Sequence, residues 1–312
     1  MTTGAYSDGT VFKKGKSRYN ELNIKVSTIE IVHRLLEADL IGFQKGFEGS
    51  PEWQGYISRI WPTDKLTKLF ENAAFGEFDI GNTDNRETII LRDEEKDEVE
   101  YTDKTYIRQM RLAVQQYNKL LEKTFIDIQS VDKPARIELP QGTRRRRTNR
   151  RVFVNITHHD KFVRRIFNNK SFSDGGRFYG GWWQSIPSKY RKFISLNGDL
   201  TIEMDYSSIH IHLLYAELQS HCPHKDHYVF GKLTKAFRPV TKTLMMILIN
   251  ASSEKAALAS AEKQGLFDDG LPKGIETPQD YLEEIYLHHE PIKEFFGTGY
   301  GVKLQFKDSQ IA

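Results

Sequence analysis

Three stretches in the second half of the chain carry residue types suited to phosphate and metal chemistry. Thr201-Ile202-Glu203-Met204-Asp205-Tyr206 alternates in character, and an apolar run from Ile211 to Leu218 follows it. The pattern predicts a strand that delivers the Asp205 carboxylate where a helix begins, a place suited to holding Mg2+ against substrate phosphates. The same aspartate equally suits a helix N-cap. Arg238, Lys242, Met246 and Asn250 recur at four-residue steps within an apolar run, so on a helix they share one face. Two cations there would grip a triphosphate and leave the far end for base or sugar. A solvated Arg/Lys pair beside a methionine core stripe is the plainer reading. Upstream, Gly175-Gly176 precede Arg177. Paired glycines let the backbone turn sharply, so that the guanidinium approaches a phosphate or sugar.

Net charge is only +3, but it is unevenly distributed. Arg144, Arg145, Arg146 and Arg147 form a run, followed by Arg150, Arg151, Arg164 and Arg165, whereas residues 93 to 100 are mostly acidic. Clustered arginine beside an acidic loop points to a phosphate-facing surface, DNA or RNA. A basic linker has the same composition. Cys222 is the single cysteine, which excludes an internal disulfide and suits a cytoplasmic setting. No apolar run approaches the roughly 18–20 residues of a membrane span, and the N-terminus lacks the features of a secretory signal. His221, Cys222, His224 and His227 cluster without the spacing of a strong zinc signature, and a polar loop is the expected reading.

The elements that must position these residues follow from periodicity. Residues 1 to 20 read as a loose arm. Ser27 could cap a helix carrying Ile31, Val32, Leu35 and Leu36. Leu40 to Phe43 and Gly55 to Ile60 read as two strands about a Glu48-Gly49-Ser50-Pro51 turn, and a second helix carries Leu66, Leu69 and Phe70. A helix, a hairpin and another helix resemble the recognition helix and wing of a winged-helix domain; a small α+β module or a protein-binding winged helix has the same pattern. Residues 87 to 92 read as a short strand. Thr102 to Phe125 reads as one helix whose stripe of Ile107, Met110, Val114, Tyr117, Leu120 and Leu121 is expected to be core. The expected class is α+β. Residues 1–86 form a winged-helix-like DNA-binding domain, 87–150 a helical connector with a basic linker, and 151–312 a second domain.

Taken in order, the later landmarks resemble the family A polymerase superfamily, the DNA polymerase I family and the single-subunit bacteriophage-type RNA polymerases. Gly176-Arg177 with Gln184-Ser185-Ile186-Pro187 looks like the Gly-Arg segment and the Gln-x-Ile-Pro that follows it. Asp205-Tyr206-Ser207-Ser208-Ile209 looks like motif A, Asp226 like an acidic position between motifs, and Arg238-x-Val-Thr-Lys242 with Met246 like motif B of the phage-type enzymes. The resemblance spans about residues 172 to 255. It implies a partial palm and fingers domain and a template-dependent nucleotidyltransferase of phage, prophage or plasmid type, truncated or split. The alternative is a non-catalytic DNA-binding or replication-accessory protein with a degenerate polymerase fold.

The resemblance further implies that Asp205 is a catalytic, metal-binding carboxylate, assisted by the Tyr206 carbonyl. Arg238 and Lys242, with Asn250 beyond them, would bind the incoming triphosphate, and Arg177 would contact template or primer. Two Mg2+ ions would assist in-line attack. Implied partners are DNA, nucleoside triphosphates and a second polypeptide that completes the site. Four departures stand out. His210 replaces a glutamate, Asn250-Ala251 replaces Tyr-Gly, and no exonuclease-like segment lies upstream. The His-Asp pair of motif C has only Lys307-Asp308-Ser309 to match it; Asp308 is the candidate for a second catalytic carboxylate if that string is a degenerate motif C, and the expected reading is that it lies upstream of a missing one. His158-His159-Asp160 has the right letters but precedes motif A.

Overall fold

A computed structural model describes residues 17–20, 26–46, 58–74, 86–129, 136–141, 152–156 and 161–311. The arginine run 144–151, His158-His159-Asp160 and the expected hairpin tip at 48–51 lie outside the described residues. The chain is mixed α+β with small sheets, and it divides into two compact units. One comprises residues 1–88 with 100–105, the other residues 89–99 with 106–312. The stretch expected as a connector, from residue 89 onward, therefore lies almost wholly in the same unit as residues 151–312.

In the first unit, helix α1 (Val26–Glu37) leads into the antiparallel pair β1 (Ile41–Gln44) and β2 (Arg59–Pro62), and α2 (Asp64–Asn72) follows. Thr63 caps α2 by accepting the Leu66 N–H. The helix–hairpin–helix order matches the sequence pattern, except that α1 begins ahead of Ser27, so this serine lies within the helix. The arm is not loose where it is described. Arg18 ion-pairs with Glu100 at 3.1 Å and Asp103 at 3.2 Å, and its guanidinium covers the Tyr101 ring at 3.6 Å.

The second unit holds two three-stranded sheets. In one, β3 (Ile89–Leu91) runs parallel to β7 (Arg164–Asn168), which pairs antiparallel with β8 (Ser171–Tyr179). In the other, β9 (Ile194–Leu196) lies between β4 (Ile126–Ile128) and β10 (Asp199–Leu200), antiparallel to both. A separate pair joins β5 (Arg136–Glu138) and β6 (Phe153–Asn155). Helix α3 (Thr105–Lys123) buries Ile107, Val114 and Leu121. Part of its expected core stripe faces water, because Tyr117 is 44% and Leu120 59% exposed. A short α4 (Ser188–Arg191) precedes β9.

The main core is helical. It packs α5 (Ile209–Glu217), α6 (Arg238–Asn250), α7 (Glu254–Lys263) and α8 (Pro278–His288), with Leu304 of α9 (Gly301–Ile311). Leu214, Leu244, Leu248, Ile285 and Leu304 are fully buried there. Ser253 caps α7 by accepting the Ala256 N–H at 3.1 Å. Ser253→Ala is expected to destabilise the fold by about 1 kcal/mol, and Ser253→Asp to keep most of it; equilibrium denaturation measures both.

Candidate functional site

Helix α6 presents the four residues that its spacing predicted on one face. Thr241, Leu244, Met245, Leu248 and Ile249 turn into the core, and Arg238, Lys242, Met246 and Asn250 are left half-buried or exposed. The Arg238 Nε donates to Asp226 Oδ2 at 2.6 Å, so Asp226 anchors the first cation of the face. Burial works to raise the Asp226 carboxyl, but the Arg238 guanidinium and the Tyr228 N–H hold it below its ordinary value. Lys242, one turn on, is exposed and has no hydrogen bond or ion pair among the described residues. Asn250 Nδ2 donates to the Met246 carbonyl at 2.7 Å. The face thus offers one tethered guanidinium, one free ammonium and, at its far end, the Asn250 carbonyl oxygen.

Asp205 is not delivered by a strand. Residues 201 to 206 form an irregular segment between β10 and α5. Ile202 is 86%, Met204 90% and Tyr206 66% exposed. The alternation is present, but a strand needs a neighbour, and the pairing of β10 with β9 ends where the Thr201 N–H donates to the Ile194 carbonyl at 3.0 Å. The Asp205 and Tyr206 side chains are exposed and free of hydrogen bonds among the described residues. Asp205 is not the N-cap of α5 either; Ser208 holds that position, with φ 55°.

Arg177 and Asp308, 131 residues apart, are brought together. The bulge in β8 lies at Gly175 and Gly176, whose φ values of 83° and 76° suit glycine. Arg177 directly follows the bulge, opposite Ile166. Its Nε and Nη2 both donate to Asp308 Oδ2, at 2.9 and 2.5 Å. Asp308 lies within α9, not in a hairpin, and α9 packs along β8 and against α5. Arg177 Nη2 also donates to His210 Nε2 at 3.1 Å. His210 must accept there, so its ring hydrogen sits on Nδ1, which is buried without a partner. Burial and then the Arg177 charge hold His210 below its ordinary pKa. One strand over, the buried Arg165 donates to the Gly176 carbonyl at 2.7 Å and to Ser309 Oγ at 2.8 Å. Two arginines therefore fasten Asp308-Ser309 to the sheet. Nothing in the sequence pattern marks Arg165 or His210 for this role.

These placements decide the fit of the expected metal pair. Asp205 offers one free carboxylate, a suitable single ligand for Mg2+. Asp308 is already neutralised by Arg177, so the two residues as placed do not fit a two-ion centre. Among the described residues no group of three or more His, Cys, Asp or Glu side chains is placed to hold a metal. His224 and His227 instead pack beside His288 and His289 from the end of α8. No helix among them is long and apolar enough to cross a membrane.

The chain matches no family model, no curated protein and no solved structure.

Proposed function

We propose that this chain handles nucleoside triphosphate and nucleic acid as part of a template-dependent nucleotidyltransferase of phage, prophage or plasmid type. Its share is the grip on the nucleotide. The observation that carries this reading is the outer face of α6, where Arg238 is steadied by Asp226 and Lys242 is free, with Asn250 two turns on. A free ammonium beside a fixed guanidinium is complementary to a chain of phosphates. Asp205, unpartnered in the segment before α5, is the carboxylate available to the reaction. The second carboxylate comes from a second polypeptide, because Asp308 is held by Arg177.

The test is triphosphate binding followed by calorimetry in the presence of Mg2+. Lys242→Ala is expected to weaken binding roughly tenfold, the loss of about 1.4 kcal/mol from one charge-assisted contact. Lys242→Arg should retain most of it. Equal affinity in wild type and Lys242→Ala removes the grip from α6.

A second reading, a non-catalytic DNA-binding or replication-accessory protein, is favoured by the Arg177–Asp308 pair. Primer extension separates the two. Extension abolished by Asp205→Ala supports transfer, whereas triphosphate binding with no extension, even with candidate partner polypeptides added, supports the accessory role. The winged-helix character of the first unit belongs to the same proposal, with DNA as its partner. Its affinity for duplex should fall steeply with salt.

A further inference from the structure

A cavity in the second unit lies away from the α6 face, none of whose residues line it. It has a volume of about 780 Å3 and opens between α3, the end of β8, the Trp182–Gln184 turn and β9. A second cavity of about 420 Å3 adjoins it, since Tyr117, Phe178, Trp183 and Gln184 line both. Together, across this shared aromatic wall, they form a groove.

The walls are aromatic and held in place. Tyr117 meets Phe178 edge-on with ring centres 6.3 Å apart, and Trp183 meets Trp182 at 5.9 Å. Gln184 locks the turn between them, accepting the Gly180 N–H at 3.0 Å and donating to the Phe178 carbonyl at 3.1 Å. Tyr179 lines the larger cavity and, like Tyr117, stays more than two-fifths exposed. Apolar surface left open to water on this scale marks a binding groove. At the rim, Arg191 ion-pairs with Glu203 at 3.0 Å, and the smaller cavity is lined by the Arg165 guanidinium, which donates to the Gly176 carbonyl and Ser309 Oγ and has no carboxylate partner among the described residues. Lys189 and Lys192 stand exposed on either side of Arg191.

We propose that this groove takes single-stranded nucleic acid, with unpaired bases stacked on Tyr117, Tyr179 and Trp183 and phosphates outside it near Lys189 and Lys192. Aromatic faces with the Arg165, Lys189 and Lys192 cations beside them match a chain whose bases are planar and whose charge lies on its backbone. The inference rests on the nucleic-acid part of the function proposed above, and names where the unpaired strand lies.

Binding of a fluorescent oligothymidine, followed by anisotropy, tests it. Tyr117→Ala and Tyr179→Ala should each weaken binding roughly tenfold, and Tyr117→Phe should bind like wild type. An abasic oligomer of the same length should bind at least tenfold more weakly than oligothymidine. Triphosphate binding at α6 should be unchanged in all three variants, which shows that they fold. Equal affinity of both alanine variants, or tight binding of the abasic oligomer, overturns the proposal. So does self-association of the protein that Leu120→Ser abolishes, or an apolar dye in the groove that oligothymidine does not displace. If wild type binds triphosphate but no oligomer, the groove assignment fails while the α6 reading stands. If Lys242→Ala leaves triphosphate binding intact but the tyrosine variants lose oligomer, the reverse holds.

Discussion

Asp308→Ala is expected to destabilise the second unit by about 2–4 kcal/mol, even though its carboxylate is the one the motif order offers to a metal. Both donors of Arg177 converge on one Asp308 oxygen. Removing the carboxylate leaves a guanidinium charge beside the buried His210 ring and loosens α9 from β8. The full penalty of an orphaned buried charge, about 3–5 kcal/mol, is reduced because the Arg177 side chain is 38% exposed and gains water. Asp308→Asn keeps an acceptor and should lose less. A carboxylate poised for metal behaves in the opposite sense, since its removal relieves local strain and leaves stability unchanged or raised. Chemical denaturation of the three proteins decides between a tie and a ligand, and an unchanged midpoint for Asp308→Ala restores Asp308 to the catalytic candidates.

Acid should destabilise the fold well above the range in which carboxylates titrate. His289 is fully buried; its Nε2 donates to the His227 carbonyl at 3.0 Å, and its Nδ1 accepts from the Tyr215 hydroxyl at 2.9 Å. Burial is the main cause that brings its pKa down to about 4. A folded-state pKa below the unfolded value near 6.5 means that the unfolded chain binds more protons in between. The stability that neutral His289 contributes is therefore complete above about pH 6.5 and is lost as pH falls toward 4, by about 3 kcal/mol. His210 and His227 are shifted in the same direction, mainly by burial, and steepen the fall. The measurement is unfolding free energy between pH 7 and 4. In His289→Gln the slope over that window should shrink, whereas an unchanged slope places the proton uptake elsewhere.

Which parts were legible follows from the range of the forces involved. Helices α3, α5 and α6 are written in local spacing, and the exposed face of α6 could be named from four positions because a helix fixes its own neighbours. Residues 201 to 206 show the limit of that reasoning. Ile202, Met204 and Tyr206 have a strand's alternation, yet sheet formation depends on a partner that spacing alone does not supply. The half-exposed stripe of α3 misled for a related reason: periodicity shows that Tyr117 and Leu120 share a face with Val114, but not whether anything covers it. The Arg177–Asp308 pair and the meeting of His224 with His288 join residues far apart in the chain, and no local pattern encodes them. The two glycines before Arg177 did signal a backbone irregularity. They said nothing of where the guanidinium would go.

Helix α6 separates two physical demands along its length. Its inward side chains are fixed by close packing, where a single lost methylene is felt throughout the core. On the outward side Lys242 has no hydrogen bond or ion pair among the described residues and can change at little cost to folding, whereas Arg238 is tied to Asp226. On the function proposed above, ligand preference on this rod is therefore open to adjustment, by laboratory selection or by drift, without renegotiating the architecture that holds it.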